Sequence, residues 1–172
     1  MIEKIRYILN ILLYSPEEYA RKKGVIIGNN CNIQTRDFGS EPYLVEIGNN
    51  VQITNGTKIF THGGGWVFRD ELPKFDTFGK VKIGNNVYIG NNSLIMPGVT
   101  IPSNTIVAAG SVVTKSYKEE GCILGGNPAR IIGNLQSLKN KLLPYNLNSK
   151  GLTYQEKKEL LLKLSQDKFI KK

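Results

Sequence analysis

From residue 45 the chain repeats itself every six residues. It reads VEIGNN, VQITNG, TKIFTH and, after a gap, VKIGNN, VYIGNN, SLIMPG, VTIPSN, TIVAAG, SVVTKS; an earlier pair reads VIIGNN, CNIQTR. The third position is always aliphatic: Ile27, Ile33, Ile47, Ile53, Ile59, Ile83, Ile89, Ile95, Ile101, Val107 and Val113. A step of six fits neither the helical period nor the two-residue alternation of a half-buried strand. It fits a short strand with one side chain inward, then a tight turn, three times per triangular coil. Stacked coils make a parallel β-helix, and their aliphatics form columns. Ile27, Ile47, Ile83 and Ile101 belong to the first; Ile33, Ile53, Ile89 and Val107 to the second; Ile59, Ile95 and Val113 to the third. Gly28-Asn29-Asn30, Gly48-Asn49-Asn50, Gly84-Asn85-Asn86 and Gly90-Asn91-Asn92 occupy turns. Both residue types tolerate positive φ, so these asparagines are expected to be structural corners. No coil can bury its apolar face alone, so stacking must supply the stability. A β-sandwich would instead show longer alternating strands with turns every eight to twelve residues or so, which the strict step through 81–116 opposes.

Two interruptions break the period. DFGSEPYL (37–44) is longer than one repeat. The larger break follows His62: residues 63–80, GGGWVFRDELPKFDTFGK, leave the coil and return in phase. Regular coils need no such loop, and long loops in compact domains are usually functional. At its root stands the only histidine of the chain, and Trp66, the only tryptophan, follows. Histidine is the side chain suited to taking up and releasing a proton near neutrality.

The expected organisation is a helical cap at 1–24, a β-helix at 25–133 with its excursion at 63–80, and a linker with a C-terminal helix at 134–172. Ser15, Pro16 and Glu18 form a capping box before a short helix ending at Gly24, placed to cover the first coil. Thr153 and Glu156 form a second box. The helix it starts has an apolar side (Leu160, Leu161, Leu164, Ile170) that either caps the coil or meets a neighbouring subunit. A short helix is also expected at 134–142. The net charge of +9 concentrates in the tail, where nine lysines face three acids over 134–172. That tail reads as a solvated helix or as a surface for anionic lipid or an anionic acceptor. Without interleaved arginines and aromatics it does not read as a nucleic-acid module. The N-terminal apolar run is too short and too charged to span a membrane and lacks a signal-cleavage pattern. Two cysteines far apart, Cys31 and Cys122, fit a reduced, cytoplasmic setting and no metal spacing.

The repeat run, the excursion after Thr61-His62, the segment NNSLIMPGVTIPSNTIVAAGSVVTK and the closing GGNPARIIG together resemble the left-handed β-helix acyltransferases. Among these the chain looks most like the maltose/galactoside and capsular-polysaccharide O-acetyltransferases. The resemblance covers roughly residues 25–133. It implies left-handed winding, which general topology would not; acetyl-coenzyme A as acyl donor; no metal; and a homotrimer with sites between subunits. It implies that His62 is the general base. It also sets Ala109 and Gly110 along the pantetheine chain, with Lys115 and Arg130 near the phosphates.

Transfer of an acetyl group from a thioester to a hydroxyl needs a base for the attacking oxygen and stabilisation of the oxyanion. An acid or carbonyl should orient the ring, and Asp37, Asp70, Glu71 and Asp76 are the candidates. Asp37 and Glu71, with Trp66 and Arg69, make up the substrate-facing set. The loop aromatics either receive a sugar face or anchor the loop. The reaction expected is O-acetylation of a saccharide, within surface-polysaccharide synthesis. An amino-sugar N-acetyltransferase, a serine or xenobiotic acceptor, and a non-catalytic scaffold are the alternatives. A carbonic anhydrase on this fold needs three histidine ligands, and one histidine per chain does not supply them.

Overall fold

The computed structural model describes residues 13–171; the apolar run at 1–12 lies outside them. The chain divides into two units, residues 1–135 and 136–172. In the first, a short helix α1 (Pro16–Lys22) precedes strands of two or three residues. These are β1 (Ile26–Ile27), β2 (Asn32–Ile33), β3 (Val45–Ile47), β4 (Gln52–Ile53), β5 (Lys58–Ile59), β6 (Val81–Ile83), β7 (Val87–Ile89), β8 (Leu94–Ile95), β9 (Thr100–Ile101), β10 (Thr105–Val107) and β11 (Val112–Val113). Two longer strands follow, β12 (Cys122–Gly126) and β13 (Ala129–Asn134).

The strands sort into three sheets, β1-β3-β6-β9, β2-β4-β7-β10-β12-β13 and β5-β8-β11. Every pairing is parallel except β12 with β13. The three expected columns form in register: Ile27–Ile47–Ile83–Ile101, Ile33–Ile53–Ile89–Val107 and Ile59–Ile95–Val113. All these side chains are buried. The structure extends two columns. Leu124 of β12 lies beside Val107. Phe38, also buried, stands above Ile59, because Asp37 pairs with Lys58 and sets that register. The six-residue step ends after β11: the last coil closes in the antiparallel β12–β13 hairpin, which the repeat did not announce.

The corners explain the repeated Gly-Asn-Asn. At its third position, Asn30, Asn50 and Asn86 have φ of 55°, 56° and 54°, as does Asn104 at 55°. From there each Nδ2 donates to the next coil's Oδ1, Asn30 to Asn50 to Asn86 to Asn104, and Asn104 donates to Glu120. The middle asparagine works differently: Asn49 and Asn85 accept from the backbone N–H of Asn29 and Asn49 in the coil above. Gly48 leaves room for this. A Cβ there would sit 2.5 Å from Asn85 Oδ1 and 2.8 Å from Gly84 O. Buried Thr35, Thr54, Ser93 and Ser111 close other corners by donating to carbonyls. The asparagines are therefore corners, as expected, and along this edge they bond from coil to coil.

At the start of the coil, Ser15 and Glu18 form the anticipated capping box. Ala20 of α1 is buried, and the Arg21 guanidinium donates to the carbonyls of Ile27 and Gly28. The helix thus occupies acceptors at the open strand edge, which an exposed sheet would offer to other chains. The expected helix at 134–142 forms as α2 (Leu135–Leu142), and in the second unit α3 (Tyr154–Leu162) starts from the Thr153–Glu156 capping box. Both cysteines are free.

Candidate active site

The excursion leaves from the corner between the third sheet and the first. His62 pairs antiparallel with Phe78, and Gly79 N–H donates to Thr61 O at 2.8 Å, so the two ends of the loop form a closed neck. Gly79 itself lies on the next coil: a Cβ there would come within 2.2 Å of Gly98 N. Inside the loop Gly64 has φ of 76° and precedes a 3-10 turn at Gly65–Phe68. The rings of Phe68 and Phe75 meet at 4.9 Å. Arg69 lies 5.8 Å from the Trp66 ring and pairs loosely with Asp76 at 3.9 Å. Phe68 and Phe75 therefore hold the loop to itself. Trp66 is 80% exposed.

His62 Nδ1 lies 2.8 Å from Glu41 Oε2. The same carboxylate oxygen accepts from the Thr61 hydroxyl at 2.7 Å. Phe78 flanks the imidazole, ring centroids 5.9 Å apart. Thr61 is fully buried, while the His62 side chain is 37% exposed. Nε2 has no hydrogen-bond partner among the described residues, and a Cβ on Gly63 would meet nothing within 4 Å. The Thr61 hydroxyl, followed by the bond from His62, holds the Glu41 carboxyl below the usual carboxylate range, against the opposing push of burial. A carboxylate kept ionised on Nδ1 favours the tautomer with its proton there and leaves the Nε2 lone pair free.

This corrects the orienting acid. None of Asp37, Asp70, Glu71 or Asp76 bonds to His62. Asp37 contributes its backbone to the pairing with Lys58, Asp76 faces Arg69 and the Thr77 N–H, and Asp70 and Glu71 are exposed loop residues. The period alone did not reveal this: the first two sides pair at an offset of 20, Ile27 to Ile47 and Ile33 to Ile53, whereas the third shifts to 21, Asp37 to Lys58, which brings Glu41 level with His62.

Trp66 and Arg69 lie together in the loop. The coenzyme candidates lie elsewhere. Ala109 and Gly110 form the corner between the second and third sheets, both exposed, Gly110 with φ of 71°. The Lys115 ammonium stands 5.7 Å from the Tyr117 ring, and the Tyr117 hydroxyl donates to Ala129 O at 2.5 Å, beside Arg130. Arg130 pairs across the hairpin with Gly125, where an added Cβ would lie 3.5 Å from that of Ala108. Ala109, Gly110 and Arg130 thus lie about the corner between the second and third sheets, whereas Lys115 follows β11 at the corner between the third and first, where the Ser116 hydroxyl donates to Gly98 O. His62 stands at the corner of Lys115 and not at that of Ala109, so a single chain does not set the imidazole against Ala109. Among the described residues no group of three His, Cys, Asp or Glu could hold a metal ion.

Comparison with known proteins bears on these features. Residues 80–115 match the model of the bacterial transferase hexapeptide family (six repeats). Protein CapG of Staphylococcus aureus is 48% identical over 150 residues, 85% of this chain and 87% of that one. A maltose O-acetyltransferase from Clostridium difficile superposes with a TM-score of 0.53 at 26% identity, over 69% of this chain and 74% of that one. A hexapeptide-repeat acetyltransferase from Vibrio cholerae, solved with acetyl-coenzyme A, gives a TM-score of 0.54 at 28% identity, over 66% and 61% of the two chains. The likeness carries the left-handed winding of the coil. With a relative matched across most of both chains and the repeat model covering the regular coils, the chain belongs to the bacterial hexapeptide-repeat transferase family.

Proposed function

We propose that this protein transfers an acetyl group from acetyl-coenzyme A to a hydroxyl of a saccharide, with His62 as general base and Glu41 as its positioning residue. The Glu41–His62 hydrogen bond beside an open loop root carries this reading. Likeness to acetyltransferases, one of them solved with acetyl-coenzyme A and another described as acting on maltose, supports the donor and the acceptor class. The resemblance to capsular-polysaccharide enzymes supports a role in surface-polysaccharide synthesis. In the step itself Nε2 removes the proton from the acceptor hydroxyl as its oxygen attacks the thioester carbonyl. The tetrahedral oxyanion collapses, the carbon–sulfur bond breaks, and the proton passes from the imidazolium to the departing thiolate. Glu41 compensates the positive charge that forms on the ring in between.

The separation of His62 from Ala109 and Gly110, which form another corner, supports an active site shared between copies, as in the trimer that the family resemblance implies. Lys115 and Arg130 neutralise the coenzyme phosphates there, and Trp66 and Arg69 face the acceptor. The reaction fits the cytoplasm, where acetyl-coenzyme A is supplied, and the lysines of 134–172 would permit contact with an anionic membrane surface.

The deciding experiment incubates the protein with acetyl-coenzyme A and a panel of neutral, amino and acidic sugars, reading free thiol and the acetylated product. Ester formation is expected; product found only on amines would assign an N-acetyltransferase instead. In the same assay Lys115→Ala combined with Arg130→Ala should raise the KM for acetyl-coenzyme A about tenfold or more with a smaller change in kcat. A fall in kcat alone would remove both residues from the phosphate site.

Glu41→Gln should lower kcat by about 10²–10⁴-fold, the upper figure being that of the acid-to-amide change in a serine-protease triad. It should also alter acid stability. Because the folded carboxyl titrates below its ordinary value, Glu41 contributes stability that is fully present above about pH 4.3 and is lost as pH falls through the lowered value. Thermal melts of Glu41→Gln across that window should show a shallower acid slope than those of the parent protein.

A further inference from the structure

The eight-residue interruption at 37–44 does more than deliver Glu41. Its other face closes a pocket against the end of α1, with a volume of about 380 Å³, within the range of roughly 300–1,000 Å³ usual for small-molecule sites. The turn contributes Phe38, Gly39, Ser40, Pro42 and Tyr43; the remaining walls are Tyr19, Lys23 and Arg36. The packing is specific: a Cβ on Gly24, whose φ is 96°, would touch the Tyr43 Cβ at 3.1 Å, so the turn lies directly on the chain leaving the helix.

The charge in this pocket has one sign. Lys23 and Arg36 both line it, and neither pairs with a carboxylate among the described residues. Arg36 donates one Nη2 bond, to Tyr14 O at 2.7 Å, and its Nε is buried without a partner. That leaves the guanidinium under-satisfied. Both cations stand near the Tyr19 ring, at 5.8 and 6.0 Å. The nearby acids are committed elsewhere. Glu41 is bonded to Thr61 and His62, Glu17 to Arg21, and Asp37 does not line the pocket. Two cations beside aromatic walls suit a ring bearing an anionic substituent such as a carboxylate or phosphate. The neighbours of Glu41 in sequence, Ser40 and Pro42, form one wall, so the group that orients the base and the cationic pocket are held by one turn.

We infer that the acceptor is an acidic saccharide whose carboxylate or phosphate is received between Lys23 and Arg36, against the turn that also carries Glu41. This rests on the acetyl-transfer reading above and narrows its substrate. The test compares galactose, galacturonate and galactose 1-phosphate as acceptors with acetyl-coenzyme A, using the full chain and its Lys23→Gln variant. Calorimetric titration of the same three sugars is run alongside. Lys23 is exposed, so its replacement leaves the fold intact. The expected result is a kcat/KM at least about tenfold higher for one acidic sugar than for galactose. That ratio should collapse severalfold in Lys23→Gln, through KM, and on raising the salt concentration. A preference for galacturonate assigns a uronate, and one for the 1-phosphate a sugar phosphate. Equal rates on all three sugars, or an unchanged ratio in Lys23→Gln, overturn the inference while acetyl transfer stands. Binding of an acidic sugar that weakens in Lys23→Gln without any transfer keeps the pocket and overturns the acetyl-transfer reading. Neither binding nor transfer overturns both.

Discussion

His62→Ala is expected to abolish most acetyl transfer, lowering kcat by about 10²–10⁴-fold, the usual worth of a positioned general base. The fold should survive, because His62 lies outside the buried core and the neck of the excursion is held by the backbone bond from Gly79 to Thr61. Acetyl-coenzyme A should still bind, since Ala109 and Gly110 are at another corner and, in the proposed site, Lys115 and Arg130 carry the phosphates. Initial rates with saturating acceptor, beside calorimetric titration of the coenzyme, separate these outcomes. A variant that turns over at the parental rate would show that His62 is not the base. Loss of coenzyme affinity together with rate would mean that the imidazole contributes to the donor site.

Ile89→Ala should be the most damaging of the conservative core changes, at a cost of about 2–5 kcal/mol. Ile89 is fully buried and stands mid-column, between Ile53 above and Val107 below. Truncation there opens a void that cannot close by local collapse, because the strands on either side are held in register by parallel pairing. Folded domains have only about 5–15 kcal/mol to lose, so a clear drop in urea midpoint with an unchanged m-value is the expected reading. A midpoint within error of the parent would mean that the column relaxes around the gap and that its packing is looser than the burial indicates.

The parts legible from residues alone are those in which local pattern and global fold impose the same period. An aliphatic residue every six positions has only one face on which to be buried, and Gly-Asn-Asn has few backbone conformations besides a corner. Columns and turns therefore followed from counting. Capping boxes were legible for the same reason: Ser15 with Glu18 and Thr153 with Glu156 satisfy helix N–H groups three residues away. The root of the excursion showed itself as a break in phase.

What escaped the reading was contact between residues remote in sequence at places where the period fails. Glu41 and His62 are held together only because Phe38 fills the third column above Ile59 and the turn after it descends onto Thr61. The choice among acids depends on that register, so an acid nearer the loop in sequence looked equally good. The antiparallel closure by β12 and β13 was hidden likewise, since CILGGNPARIIGN is no longer periodic. Sequence by itself determined the coil, its columns, its corners and the single imidazole, because each is a short-range demand of burial or backbone geometry. Only the tertiary structure decided which carboxylate meets that imidazole and which cations share a pocket with its turn, because those depend on how irregular segments pack against stacked coils.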